Sequence, residues 1–575
     1  MPHDLVVRHG LIIDGTGREP VHGDIAVDGG LISAVGTVAD DGATEVDAAG
    51  CVVTPGFVDI HTHYDGQSIW SEHLAPSSMH GVTTAVMGNC GVGFAPCRPA
   101  DHALLVNAME GVEDIPEVVM TEGLQWDWET FPDYLDAVAG RPHDIDVATF
   151  LPHSPLRVYA MGARGAAGEP ATEQDVARMA DLAREAAAAG AIGFATSRTE
   201  IHRRGDGEHI PSFNSGEAEL TAIAAAFGGR GIVQLVTNLV HEDTERDKRE
   251  EIAVLERISA RAGVTVTFTI NQQNSKPEMF PKIMDWVDEA NSRPGVSIHP
   301  QFAPRPIGVH VGLDLSANPF SACPTYRAIA GLPLPERVAR LRDPRTRDAI
   351  IHEAPTGDVL PIVLTARQFD KTYLVTEPPT YEPEARLSVA AIARQRGVST
   401  EELAYDLLLE NDGHAMLYVA LSNYGYGNLD HLVPMFARPD SVVGLGDGGA
   451  HYGMICDGSY PTFVLTHWTR QRDKDRLSLA EAVRALTSVP ADLAGLRDRG
   501  RLAPGHKADL NVIDYDGLYL HAPKVAYDLP AGGRRLTQAP AGYRYTFVSG
   551  HKILQDDAFT GQLPGQLVRG RQAPR

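Results

Sequence analysis

The stretch Pro55–Asp65, which reads PGFVDIHTHYD, decides how this chain is organised. Its apolar residues continue the run that begins at Val52, and a short apolar run of this kind is typical of a buried strand. Side chains two positions apart on a strand point to the same face, so His61 and His63 should project side by side from its end. Two such imidazoles can bind one metal ion. The alternative is that one histidine ends the strand and the other lies in solvent.

Two further motifs place polar side chains after apolar strands. Residues 81–91 read GVTTAVMGNCG and end in Cys90, which can serve as a thiolate ligand or be a small buried side chain. Residues 446–451 read GDGGAH and place Asp447 directly after an apolar strand at 442–445. Polar residues at strand ends of a (β/α)8 barrel collect on one face and are typically catalytic, whereas an isolated Asp-Gly pair usually marks a turn.

The middle of the chain alternates apolar runs with helical stretches, which predicts βα units and a parallel barrel. The clearest helix spans 172–190, where Thr172 and Asp175 have N-cap and N3 spacing and Gly190 ends it. Strands are predicted at 191–196, 231–238 and 264–270.

Both ends of the chain differ from the middle. Residues 4–54, and towards the other end residues 502–514 and 544–551, alternate apolar and polar residues between glycine-rich turns, which predicts short antiparallel strands. Residues 333–401 fit the barrel rhythm poorly. This segment is a candidate inserted subdomain or lid, and a peripheral excursion without chemical importance is the equal alternative.

PGFVDIHTHYD resembles the first-strand signature of the amidohydrolase superfamily, and GVTTAVMGNCG is similar to its N-acyl-D-amino-acid deacylase (D-aminoacylase) branch. In that branch a cysteine after the second strand replaces a metal-bridging carboxylated lysine. The resemblance implies an α/β fold with three parts: a TIM-like (β/α)8 barrel at 55–499, a small β-sandwich built from 1–54 and 500–575, and the insertion at 333–401. It also implies a divalent metal, zinc, and Asp447 as both metal ligand and general base.

The chain departs from this branch where the family supplies two more histidine ligands, at the ends of strands five and six. Asn238 and the run Asn271–Gln273 stand there instead, and His241 lies three residues past Asn238, in a predicted loop. Amides are weak neutral ligands for zinc. We therefore expect one zinc per chain, held by four residues: His61, His63, Cys90 and Asp447.

Four residues are candidates for substrate binding. Arg305 could clamp a carboxylate through its two-pronged guanidinium, with a surface salt bridge as the equal alternative. His451 could orient the substrate or stabilise an oxyanion. His153 begins HSPLR, which resembles the family's GHxxLR loop, and Asn238 stands at the strand-five position. Histidines in 199–209, among them His202, replace a tyrosine-bearing family loop and are interpreted as structural, although together they could reshape the pocket.

Composition limits the partners. The 575 residues carry 50 basic and 75 acidic side chains, a formal net charge of −25, which argues against nucleic-acid and anionic-membrane partners. Five scattered cysteines do not suggest a disulfide framework. No signal-peptide pattern or membrane-length run is present, so we expect a cytoplasmic protein. Whether copies form a homo-oligomer is left open.

The sequence thus predicts a metal-dependent hydrolase of a non-peptide C–N bond, with an N-acyl-D-amino acid or related N-acyl amine as the small-molecule substrate. Cyclic-amide hydrolysis and deamination use the same metal chemistry and are kept as alternatives. A non-catalytic scaffold is the alternative of another class. The missing histidines favour the scaffold, and the joint presence of HxH, GNC and GDGGAH argues against it.

Overall fold

The computed structural model describes residues 2–229, 231–239, 244–357 and 361–570. Its centre is an eight-stranded sheet whose strands pair in chain order, and every pair is parallel. The strands are β1 Phe57–Asp59, β2 Val82–Met87, β3 Asp146–Pro152, β4 Gly193–Ser197, β5 Ile232–Val236, β6 Thr265–Ile270, β7 Ile298–Phe302 and β8 Val442–Val443.

The first and last strands close the sheet into a barrel just beyond their carboxyl ends. The amide of Asp447 donates to the carbonyl of His61 at 3.1 Å, and the amide of His63 donates to the carbonyl of Gly448 at 2.8 Å. Thr62 and Gly448 form a parallel bridge between these two bonds. The predicted (β/α)8 barrel is confirmed, and its closure seam runs through two of the sequence motifs.

Helices pack around the barrel and within the excursion between β7 and β8, and the α-helices of seven or more residues in the described part of the chain are numbered here. They are α1 His102–Glu113, α2 Glu117–Gly123, α3 Phe131–Ala139, α4 His153–Met161, α5 Glu173–Ala189, α6 Glu217–Ala225, α7 Glu245–Ala262, α8 Met279–Asn291, α9 Leu334–Leu341, α10 Pro344–His352, α11 Val389–Arg396, α12 Thr400–Leu408 and α13 Leu479–Leu486, of which α9–α12 belong to the excursion described below. The helix predicted at 172–190 is α5. Thr172 and Asp175 form its capping box, and Gly190 ends it at φ 119°, a left-handed conformation that suits glycine.

The two ends of the chain meet in one nine-stranded sheet. Its strands are His3–Ile12, Val21–Asp28, Leu31–Gly36, Gly42–Asp47, Val52–Pro55, Leu510–Ile513, Tyr543–Val548, His551–Gln555 and Ala558–Phe559. The antiparallel pair Val52–Pro55 and Leu510–Ile513 joins the amino-terminal half to the carboxy-terminal half. The sheet folds over a core of its own that includes Leu5, Ile25 and Leu510. Residues 565–570 leave this sheet and hydrogen-bond along the barrel near His143, Val147 and Gly190.

A large excursion lies between β7 and β8, at residues 303–441. It contains an antiparallel sheet of three strands, Ile307–Gly312, Thr372–Leu374 and Met416–Ser422, and a separate apolar core. Two of the three strands lie outside 333–401, so the folded unit is wider than the predicted segment. The sequence pattern missed its edges because its first strand follows β7 after only four residues.

Candidate metal centre

His61 and His63 lie just past β1, at the carboxyl-terminal face of the barrel, and each is only 1% exposed. The alternative with one histidine in solvent is therefore wrong. Nδ1 of His61 lies 2.8 Å from the side-chain oxygen of Gln301, at the end of β7. A proton on Nδ1 satisfies that oxygen and leaves Nε2 of His61 free to bind a metal.

Cys90 comes from the turn after β2 and faces both imidazoles. Its Sγ lies 3.4 Å from Nε2 of His61 and 3.9 Å from Nε2 of His63. The backbone of Cys90 has φ 57°, and its amide donates to the side chain of Gln234, in β5, at 2.9 Å. Among the described residues, these two histidines and this cysteine form a group with one ligand atom each, all within 4.8 Å of one another.

Asp447 faces the same two nitrogens from the end of β8. Its Oδ1 lies 3.5 Å from Nε2 of His61 and 3.6 Å from Nε2 of His63. Burial alone would raise the pKa of Asp447, but the neighbouring imidazoles, that of His63 first, outweigh it and hold that pKa well below its usual range. The carboxylate is therefore ionised at neutral pH.

A bound zinc ion fixes the distances between its ligand atoms, and the distances in this group are close to them. Zinc binds histidine nitrogen at about 2.0–2.1 Å and thiolate sulfur at about 2.3 Å, so a tetrahedral site separates its ligand atoms by roughly 3.3–3.6 Å. The distances from Cys90 and Asp447 to the two imidazoles run from 3.4 to 3.9 Å. His61, His63 and Cys90 form a compact group that fits a zinc ion, and Asp447, which lies outside that group, faces the same two imidazole nitrogens at 3.5 and 3.6 Å.

The electrostatics of the group point the same way. Burial lowers the pKa of both histidines, which keeps the rings neutral and ready to bind a metal. Burial, followed by the charges of Glu113 and Asp447, raises the pKa of the Cys90 thiol well above its ordinary value. A cation between these groups reverses the effect on the thiol, because a metal ion stabilises the thiolate.

Glu113, the last residue of α1, is a component that the sequence analysis missed. It is 1% exposed, and its two oxygens lie 3.4 Å from Nδ1 of His63 and 3.4 Å from Nε2 of His451. The signal was present, because Glu113 shares the buried face of α1 with Val106 and Met109. An acidic residue on the buried, apolar face of a helix is unusual unless it has a partner inside the protein, so its position in the sequence was a signal of a buried interaction.

Known proteins resemble this chain over most of its length. The model of the amidohydrolase family matches residues 44–553. The chain belongs to the amidohydrolase family. The resemblance seen in the first-strand motif is confirmed, and the protein is a hydrolase rather than a scaffold.

Individual relatives span nearly the whole amidohydrolase. An N-acyl-D-aspartate deacylase of Alcaligenes xylosoxydans xylosoxydans is 35% identical over 568 residues, covering 98% of this chain and 95% of the relative. A D-aminoacylase of the same organism is 27% identical over 570 residues, covering 99% and 98%. A solved D-aminoacylase, described for its binuclear metal centre, superposes with a TM-score of 0.65 at 23% identity, covering 99% of this chain and 100% of that structure. At this identity the superposition shows the shared fold.

Arg305 of this amidohydrolase is not available to a substrate, which corrects its prediction as a carboxylate clamp. The side chain is 0% exposed. One guanidinium nitrogen lies 2.6 Å from Asp457 and 2.6 Å from the carbonyl of Cys456, and the group packs over the ring of Tyr381. A substrate carboxylate would have to displace a buried partner. The surface salt bridge is wrong as well, since the pair lies inside the protein.

His153 also points away from the metal centre. Its Nδ1 lies 2.8 Å from the hydroxyl of Thr196 and its Nε2 lies 2.9 Å from Glu219, which in turn pairs with Arg157 at 2.6 Å. Both ring nitrogens are thus occupied. The substrate role predicted for His153 is corrected to a structural one, in which it fixes the start of α4 against β4 and α6.

Asn238 acts on a neighbouring loop. Its side-chain oxygen accepts the backbone amide of Glu200 at 3.1 Å, and its backbone amide donates to the carboxylate of Glu251 at 3.3 Å. The loop it holds carries His202. Burial, followed by the neighbouring rings of His451 and His63, lowers the pKa of His202 to about 3, so this ring is a neutral imidazole. His241 lies outside the described residues.

The amides that stand in place of the strand-five and strand-six histidines serve the scaffold. The side-chain oxygen of Gln272 accepts the backbone amide of Gly425 at 2.9 Å, and the backbone amide of Gln272 donates to the side-chain oxygen of Asn423 at 2.7 Å, which ties the end of β6 to the excursion. Gln234 holds the Cys90 turn. His451 lies at the site, as predicted from its place beside Asp447: its side chain is 20% exposed, and its ring lies 6.4 Å from that of His63.

No helix within the described residues has the length and apolar character needed to cross a membrane.

Proposed function

We propose that this amidohydrolase hydrolyses the amide bond of an N-acyl-D-amino acid or related N-acyl amine, and that it does so with one zinc ion per chain. The observation that carries the proposal is that Cys90 and Asp447, which follow two other barrel strands, both face the Nε2 atoms of His61 and His63. The deacylases of Alcaligenes xylosoxydans xylosoxydans support the choice of substrate class, because each aligns with this chain from end to end.

His61, His63, Cys90 and Asp447 would hold the ion. When bound, zinc acts as a Lewis acid that polarises the acyl carbonyl and lowers the pKa of a coordinated water to about 7. The amide of Gln301 holds His61 in the tautomer that binds, and Gln234 holds the turn of Cys90.

Asp447 is the general base. Its carboxylate is ionised, and its side chain is 20% exposed, so it faces both the ligand group and the opening of the site. An Oδ of Asp447 accepts the proton of the attacking water and returns it to the amine nitrogen as the C–N bond breaks. His451, beside it in the same turn, is placed to donate to the oxyanion of the tetrahedral intermediate.

We also propose the excursion at residues 303–441 as a lid. It contacts the loops at the carboxyl-terminal face of the barrel: the hydroxyl of Ser316 donates to Asp114, beyond α1, and the amide of His310 donates to the carbonyl of Met454, beyond β8. A lid in this place would exclude water from the polarised carbonyl.

The test begins with zinc content by elemental analysis of the wild type and of His61→Ala/His63→Ala. We expect one zinc per chain, lost in the double variant. The wild type is then assayed on N-acetylated D- and L-amino acids, with preference expected for the D form. Because Arg305 is already paired, a neutral cyclic amide belongs in the same screen as the second candidate. Absence of zinc from the wild type, or of turnover on every amide, would overturn the proposal.

A further inference from the structure

The Glu113 carboxylate lies on the far side of His63 from the ligand group. Nε2 of His63 faces Cys90 at 3.9 Å and Asp447 at 3.6 Å, whereas Nδ1 of the same ring faces Glu113 at 3.4 Å. An imidazole has one nitrogen for the metal and one for a partner behind it, and that partner selects the tautomer. For His63 the partner within reach is Glu113.

The second oxygen of Glu113 faces His451 at 3.4 Å. The backbone of the same two residues is joined as well, since the amide of His451 donates to the carbonyl of Glu113 in a close contact. His451 has φ 52°, a left-handed conformation that a bulky residue adopts only when its surroundings impose it. The end of α1 therefore holds the turn that contains Asp447 and His451.

The Glu113 carboxylate lacks the hydrogen bonds that a buried acid usually has. Neither oxygen accepts a hydrogen bond from the described part of the chain, although the residue is 1% exposed. Burying such a group costs free energy of folding, so stability alone does not account for an acid here. A cation on the other side of His63 would draw its Nδ1 proton toward the carboxylate and supply the missing interaction.

We propose that Glu113 is a positioning residue for the metal centre. It accepts the Nδ1 proton of His63, which directs Nε2 to the metal, and it holds the ring of His451 beside the reacting atoms. The inference rests on the proposed function, because it assigns Glu113 a role toward the zinc ion that the four ligands would hold.

The next residue provides a matched control. Asp114 is also an acid at the end of α1, but its carboxylate has hydrogen-bond partners of its own: it accepts the hydroxyl of Ser316 at 3.0 Å and the backbone amide of Gly453 at 3.1 Å. Glu113→Gln and Asp114→Asn each replace one carboxyl group by its amide, with almost no change of volume. A general effect of charge at this helix end would appear in both variants.

The test is the zinc affinity of the full-length protein, measured by competition with a chromophoric chelator, with the thermal transition of the zinc-free protein as a check on folding. We expect Glu113→Gln to bind zinc about 10–100 times more weakly than the wild type, as is typical when the carboxylate behind a metal-bound histidine is lost. Asp114→Asn should stay within about threefold. With cobalt in place of zinc, the visible absorption of Glu113→Gln should shift as well, because the ligand field of His63 changes.

Equal affinity in the wild type and in a folded Glu113→Gln would overturn the positioning role and leave the hydrolase proposal standing. A wild type that binds no zinc would overturn both. If Glu113→Gln does not fold, Glu113→Asp takes its place, because it keeps the charge and withdraws it by one methylene. A loss of zinc affinity in Glu113→Asp supports the role, and an unchanged affinity overturns it.

Discussion

Replacing Cys90 with alanine should change how zinc affinity depends on pH. In the metal-free protein, burial and the neighbouring carboxylates raise the pKa of this thiol well above its ordinary value, so the sulfur carries a proton at neutral pH. Zinc binds the thiolate, and binding must therefore release that proton. The sign follows: zinc affinity of the wild type rises with pH, and Cys90→Ala loses the part of that rise that the thiol supplies.

The size of the effect follows from one proton per ion. Each released proton changes the association constant by about tenfold per pH unit, which is about 1.4 kcal/mol. Between about pH 6.5 and about pH 8.5, the ratio of wild-type to Cys90→Ala affinity should therefore grow by about 100-fold. The pKa of Glu113 is also raised by burial, but this acid is present in both proteins and cancels in the ratio.

Competition with one chelator across the pH series gives the measurement, and the chelator's own titration cancels in the same ratio. A matched variant is Cys97→Ala. Cys97 is buried seven residues further on, and its Sγ contacts the carbonyl of Arg98, away from the histidines. It should keep the wild-type slope. A ratio of wild type to Cys90→Ala that stays flat with pH would refute the assignment of Cys90 as a thiolate ligand.

Three further substitutions separate chemistry from stability. Asp447→Asn should lower kcat by about 10²–10⁴, because it removes the general base, as measured on the preferred N-acyl substrate with zinc content checked. Arg305→Met should lower the free energy of unfolding by about 3–5 kcal/mol in denaturant titration, since it leaves Asp457 buried without its partner. Arg499→Met should cost a similar amount, because it weakens a buried cluster around Asp146 at the amino-terminal end of the barrel.

Each of these predictions has an outcome that contradicts it. Wild-type kcat in a zinc-loaded Asp447→Asn would remove the carboxylate from the reaction. A large rise in KM for Arg305→Met at unchanged stability would restore the carboxylate clamp. For Arg499→Met the control is Arg501→Met, whose partner Asp492 is half-exposed, so its loss should cost only about 0–1 kcal/mol. Equal losses in the two variants would mean that burial does not determine the cost.

Much of the barrel could be predicted because its signals are local. The capping box of Thr172 and Asp175, the stop at Gly190 and the apolar strands each depend on neighbours within a few residues, and the structure has them where they were predicted. The excursion at 303–441 was located but drawn too narrowly. Its sheet pairs Ile307–Gly312 with Met416–Ser422, more than a hundred residues apart, and no local pattern marks such a partner.

The same distinction between local and distant signals separates the candidate metal ligands from the residues that surround them. His61, His63, Cys90 and Asp447 each stand at the end of an apolar strand, and parallel barrel strands bring such ends to one face whatever the loops do. That reasoning needs only the order of residues. The roles of Arg305, His153 and Glu113 depend on which side chains lie opposite them. Arg305 pairs with Asp457, His153 with Glu219, and Glu113 with both His63 and His451, and these partners come from distant parts of the chain. The sequence alone therefore determined the barrel and the four candidate ligands. Only the tertiary structure decided which charged groups are already paired and which acid faces the candidate metal centre, because pairing depends on distance in space.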